Sequence, residues 1–153
     1  MPSIVNDAGL RLELLANDER AEAMLAHGGS FNPISDRLWT ELRKSDQWTM
    51  IVDVGANYGE MILSENLEPG VRALAFEPND RVASCLRTSI TNSANDIEVL
   101  EFAVGESTGE AAFFVDPRWS GTSTATERNR PDGAHEIRVP VVRLDEFLLE
   151  RGI

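Results

Sequence analysis

The middle of the chain alternates short apolar runs with stretches in which apolar residues recur at helical spacing. The runs predict buried strands over residues 50–54, 71–76 and 97–104. The spacing between them predicts helices over 60–67 and from Pro78 to about Ile90. Strands and helices that alternate in this order predict an α/β fold with a parallel sheet and right-handed crossovers.

The pattern changes after the third predicted strand. Residues 111–115 and 136–143 predict an antiparallel β-pair appended to the parallel sheet. The polar stretch 116–133 predicts a long loop, and the hydroxyl-rich run 120–124 within it could reach a substrate. Residues 145–152 predict a short helix that ends at a glycine.

Residues 1–48 predict an N-terminal helical segment ahead of a sheet domain at 49–153. Residues 18–26 predict a surface helix whose acids at 18–22 form a solvated face. A second helix is expected from Asp36 to about Lys44, capped by Ser35. It carries an apolar stripe formed by Leu38, Trp39 and Leu42.

Composition narrows the possible partners. The 153 residues include 14 basic and 26 acidic side chains, a net charge of −12. This charge opposes binding to nucleic acid and to anionic membranes. The one cysteine, Cys85, with His27 and His135, predicts no zinc cluster and fits a reducing compartment. No secretory signal or apolar span is apparent, so we expect a cytoplasmic protein.

Candidate chemistry gathers at the ends of the first two predicted strands. Asp53 lies at the end of the first strand, Gly55, Asn57 and Gly59 belong to the turn after it, and Glu77 stands at the end of the second. A glycine turn lets the backbone approach a ligand, and a carboxylate at the next strand end can accept hydrogen bonds from both ribose hydroxyls. The pairing therefore predicts a nucleoside-binding site, although the glycines alone could reflect only a tight turn.

The spacing of the turn favours S-adenosylmethionine over a dinucleotide. A dinucleotide site requires a second glycine two positions after the first, where this chain has Asn57. Asp53 would repel a pyrophosphate but suits the ammonium and sulfonium groups of S-adenosylmethionine. The phosphate-binding loop of nucleotide triphosphatases is absent from the sequence. An NAD-dependent oxidoreductase is the disfavoured alternative.

Four segments in order resemble the FkbM-type family of S-adenosylmethionine-dependent methyltransferases. They are Ile51–Gly59, Ala75–Asn79, Glu101–Ala111 and Val139–Phe147. The resemblance covers about residues 49–149. It implies a Rossmann-like parallel sheet of the class I methyltransferase type and methyl transfer to a sugar, glycan or natural-product hydroxyl.

The resemblance also implies roles for individual residues. Asp53, Gly55, Asn57 and Gly59 would cradle the methionine part of the cofactor. Glu77 would bind the ribose, Pro78 and Asn79 would shape the adenine side, and Ala103 would line the adenine pocket. No catalytic residue and no metal ligand is assigned.

In the family, further parallel strands follow the last predicted helix, so we expect a truncated sheet. The alternative to an enzyme is therefore an inactive remnant that serves as a binding module. Such a module would form homodimers through the exposed sheet edge.

Overall fold

The computed structural model describes residues 1–30, 32–44 and 48–153 and begins with an antiparallel hairpin. Strands β1 (Ser3–Val5) and β2 (Arg11–Glu13) form it. The Asn6 side chain closes the turn by accepting hydrogen bonds from the backbone N–H groups of Ala8 and Leu10. The sequence predicted the N-terminal segment only as helical and missed this hairpin, because three-residue strands with charged residues give little periodic signal.

Two helices follow the hairpin. Helix α1 (Glu19–Ala26) confirms the predicted surface helix, and Asp18 caps it by accepting from the N–H of Arg20. Helix α2 (Pro33–Lys44) begins three residues earlier than expected. Its first turn is capped by Asn32, whose side chain accepts from the N–H groups of Ile34 and Ser35. The cap is therefore Asn32 and not Ser35, which agrees with proline at the first helical position.

The predicted parallel sheet is confirmed at its centre. Strands β3 (Met50–Val54) and β4 (Arg72–Phe76) pair in parallel, and helix α3 (Asp80–Thr91) then leads to β5 (Asp96–Leu100) on the far side of β4. The register places Val54, Phe76 and Leu100 side by side. The carboxyl ends of the three strands therefore meet at one edge of the sheet.

The helix predicted over 60–67 is wrong. The segment forms two overlapping hydrogen-bonded turns and then bends. The N–H of Leu63 donates to the Gly59 carbonyl, and the N–H of Ser64 donates to the Met61 carbonyl. Side chains occupy the carbonyls that a helix would use, since Asn6 donates to Leu63 O and Ser64 to Met61 O. A helix of eight residues gains too little from its own hydrogen bonds to resist this competition.

A second sheet forms from the C-terminal third of the described chain. Strand β6 (Ala103–Val104), strand β7 (Gly109–Val115) and strand β8 (His135–Val142) pair in the order β6-β8-β7, before helix α4 (Leu144–Glu150). The antiparallel pair of β7 and β8 is confirmed. The continuous third strand over 97–104 is wrong, because its last residues leave the parallel sheet and pair with β8.

Both faces of the parallel sheet are covered. On β4, Ala73 and Ala75 face a core shared with α3 and the N-terminal segment, while Leu74 and Phe76 face α4. Such burial on two faces explains why the strand is apolar throughout. The apolar stripe predicted on α2 is partly exposed to solvent, with Leu38 60% and Leu42 49% exposed. No helix within the described ranges has the length and hydropathy of a membrane span.

Candidate functional site

The turn after β3 folds over the end of β4. The N–H groups of Gly55 and Ala56 both donate to the carbonyl of Phe76, at 2.9 and 3.0 Å. Gly55 has φ +80° and Asn57 has φ +49°, a left-handed conformation that glycine and asparagine tolerate best. A Cβ on Gly55 would meet no atom within 4 Å, so this glycine faces open space.

Glu77 fastens this turn to the segment that follows β4. Its Oε2 accepts from the N–H of Asn57 and its Oε1 from the N–H of Asn79, both at 2.9 Å. The residue is 5% exposed. Burial raises the pKa of Glu77 to about 7, although the two backbone hydrogen bonds oppose the rise. Each carboxylate oxygen keeps acceptor capacity beyond its one backbone donor.

A cavity of about 180 Å³ opens beside Glu77. Four of the predicted residues line it: Gly55, Asn57, Glu77 and Pro78. The rest of its wall includes Arg20 of α1 and Ser120 and Gly121 of the loop between β7 and β8. Sequence reasoning missed Arg20, because nothing in its local spacing separates it from the other charges of a surface helix.

The other four predicted residues do not line the cavity. Asp53 is the penultimate residue of β3, and Asn79 caps α3 by accepting from the N–H of Arg81. Gly59 faces the core, where a Cβ would clash with Leu86 and φ is +83°. Its position requires glycine for packing, and its contact with a cofactor stays a prediction. Ala103 lies in β6, not at the end of the third parallel strand, and belongs to a buried cluster with Phe113.

Glu77 and Arg20, which line the cavity, interact with two further carboxylates, those of Asp53 and Glu60. Burial, and then the charge of Glu60, raises the pKa of Asp53 to about 6. Glu60 and Asp53 also raise the pKa of Glu77. Arg20 forms an ion pair with Glu60. Two buried oxygens, Asp53 Oδ2 and Glu60 Oε2, find no hydrogen-bond partner in the described part of the chain. Such unsatisfied buried acceptors fit a ligand that brings a cation or a donor.

A junction centred on Asp18 joins the N-terminal segment to this site. Asp18 Oδ2 accepts from the hydroxyl of Tyr58, and Oδ1 accepts from the N–H of Ser120 at 3.1 Å. Ser120 Oγ in turn lies 3.3 Å from Asn57 Oδ1. Asp18 is 5% exposed, so its expected place on a solvated face is wrong. Burial and the bond to Asp18 raise the pKa of Tyr58 far above its ordinary value.

A glycine turn and a buried carboxylate at neighbouring strand ends of a parallel sheet are typical of nucleoside-binding α/β proteins. The sequence model of the methyltransferase FkbM domain matches residues 53–153. The chain therefore belongs to the FkbM methyltransferase family, which confirms the resemblance and indicates a transferase of methyl groups. No curated protein sequence matches the chain. Among the residues that the structure describes, no cluster of three or more histidine, cysteine or acidic side chains could hold a metal.

Proposed function

We propose that the chain binds S-adenosylmethionine in a Rossmann-like site and transfers its methyl group to a hydroxyl of a sugar or natural product. The observation that carries this proposal is the carboxylate of Glu77. It is buried at the end of β4, and each of its oxygens is already oriented by a backbone N–H. A fixed carboxylate with remaining acceptor capacity suits the two hydroxyls of a ribose.

The residues around Glu77 fit the rest of the cofactor. Asp53 Oδ2 and Glu60 Oε2 are buried acceptors that an ammonium group would satisfy. Gly55 leaves open the space that a side chain would fill. When bound, S-adenosylmethionine supplies an electrophilic methyl group beside a sulfonium. The acidic surroundings favour that positive charge over the phosphates of a dinucleotide.

Calorimetric titration with S-adenosylhomocysteine tests the proposal. The Glu77→Gln variant should bind about 10- to 100-fold more weakly, because it loses hydrogen bonds to a charged acceptor. Glu101→Gln is the matched control, since Glu101 directly follows β5 as Glu77 directly follows β4, and it pairs with Arg87 at the surface. The control should change affinity by less than about 2-fold.

Thermal melts of both variants show whether they fold. A wild-type chain that does not bind S-adenosylhomocysteine contradicts the proposed function. A folded Glu77→Gln variant with wild-type affinity contradicts the role of Glu77 alone.

One observation favours a second candidate, a dimerisation module. The edge of β3 that faces away from β4 pairs with no strand in the described ranges. Val54 on this strand is 52% exposed, and Ile34 on α2 is 81% exposed. A second copy could cover Val54 by strand pairing and Ile34 by packing on α2. Light scattering and a methyl-transfer assay separate the candidates. A monomer with turnover contradicts the module, and a dimer without cofactor binding contradicts the enzyme.

A further inference from the structure

Arg20 lies outside the region that the family model matches, yet its side chain reaches the cavity beside Glu77. We propose that Arg20 binds the α-carboxylate of the cofactor's amino-acid portion and thereby selects ligands that carry this group. The inference rests on the proposed function, because it assigns one contact within that site.

The position of Arg20 is built by the surrounding chain. Its N–H is held by the Asp18 side chain, which also holds the N–H of Ser120. Its guanidinium pairs with Glu60, and the Arg20 side chain is only 14% exposed. This arrangement holds the guanidinium at the cavity wall rather than in solvent.

Gly121 makes room for the guanidinium. A Cβ at this position would lie 2.6 Å from Arg20 Nη1 and 3.0 Å from Trp119 Nε1. Any larger residue would therefore push the arginine away from the wall. The loop that contains Gly121 and helix α1 therefore pack closely where the guanidinium of Arg20 meets the cavity.

The acidic residues near the cavity explain why a ligand's carboxylate would require a basic partner there. Asp53, Glu60 and Glu77 suit an ammonium group and a ribose, but they repel the carboxylate that shares the α-carbon with the ammonium. Arg20 is the only basic side chain among the described residues that line the cavity. A guanidinium carries five N–H donors in a planar fork, so one arginine can bridge two carboxylates.

The test compares two ligands that differ only in this carboxylate. They are S-adenosylhomocysteine and its decarboxylated analogue, 5′-(3-aminopropylthio)-5′-deoxyadenosine. Calorimetry on the wild-type chain should show about a 10- to 100-fold preference for the carboxylated ligand, as expected for a charge-assisted hydrogen bond. In Arg20→Gln the preference should fall below about 3-fold, and Arg20→Lys should restore part of it.

Arg11→Gln is the matched control. Arg11 also lies in the N-terminal segment and pairs with a glutamate, Glu13 at 2.7 Å, but it does not line the cavity. This variant should keep the wild-type preference. If Arg20→Gln does not fold, equal binding of the two ligands by the wild-type chain still overturns the inference, and the preference measured in Arg20→Lys tests the role of Arg20 itself.

The outcomes separate the two proposals. The role of Arg20 is overturned if the wild-type chain binds both ligands equally well, or if Arg20→Gln keeps the full preference. Neither result contradicts the proposed cofactor site. Wild-type chain that binds neither ligand overturns the proposed function, and the inference with it. A preference that disappears in Arg20→Gln but not in Arg11→Gln supports both.

Discussion

Glu77 Oε2 accepts a hydrogen bond from the backbone N–H of Asn57 at 2.9 Å, across 20 residues of sequence. This bond joins the turn after β3 to the end of β4, and Asn57 can offer its N–H there because it takes up a left-handed conformation at φ +49°. The same carboxylate that we assign to the ribose therefore also shapes the glycine turn. Structure and binding depend on one side chain.

The affinity for S-adenosylhomocysteine should rise with pH. Burial raises the pKa of Asp53 to about 6 and that of Glu77 to about 7, while a ribose and an ammonium group both favour the ionised carboxylates. Between about pH 5 and 8 the binding constant should increase, by up to about tenfold per pH unit for each group. Calorimetry at half-unit intervals measures this. Adenosine lacks the ammonium group, so its affinity should show only the rise that comes from ionisation of Glu77. A flat profile for both ligands would contradict the assignment.

The stability of the free protein should show the opposite trend. Both carboxyls bind a proton more tightly folded than unfolded, where their pKa values are near 3.8 and 4.5. Their contribution is therefore fully present below pH 4 and lost as pH rises to about 7. The free energy of unfolding of wild type minus that of Glu77→Gln should fall between pH 4.5 and 7, by up to about 1.4 kcal/mol per pH unit. Urea denaturation measures it, and a difference that grows with pH would refute the raised pKa.

Tyr58→Phe should destabilise the Asp18 junction. Tyr58 is fully buried and its hydroxyl donates to Asp18, which is itself 5% exposed. The variant leaves a buried carboxylate oxygen of Asp18 without this donor. The free energy of unfolding, measured by urea denaturation, should therefore fall by about 1–3 kcal/mol. Thr88→Val is the control, because it removes an exposed hydroxyl that donates to Ser84 O. A loss for Tyr58→Phe no larger than that of the control would show that the junction adds no stability.

Gly59→Ala should be more harmful than Gly70→Ala. Both glycines have positive φ, +83° and +87°, so both variants bear the cost of a left-handed alanine, about 1–2 kcal/mol. Only at Gly59 does the new Cβ also clash with Leu86, whereas at Gly70 it meets no atom within 4 Å. Denaturant midpoints compare the two. The double variant Gly59→Ala/Leu86→Ala should lose less stability than the two single variants lose together. Simple additivity of the losses would argue against the clash.

The sequence predicted the parts of the fold and the site that depend on neighbouring residues. Strands β3 and β4 were evident because burial on both faces makes them apolar throughout. Gly55 and Glu77 were evident because strand ends and turns carry local signals. The absence of a helix at 60–67 was not evident, because side chains of Asn6 and Ser64 donate to carbonyls that a helix would use. Arg20 and Asp18 were missed for a similar reason, because their partners Glu60 and Ser120 lie 40 and 102 residues away.

The bond between Asp18 and Ser120 also has a consequence for the order of folding. Contacts between residues so far apart in sequence close a long loop, and such closure is entropically costly and slow compared with local pairing. During synthesis, the wall of the cavity that Ser120 and Gly121 supply emerges after the entire parallel sheet. The nascent chain therefore carries the glycine turn and Glu77 before it carries the loop that completes the cavity. It becomes competent to enclose a ligand only when the later loop returns to the N-terminal helix.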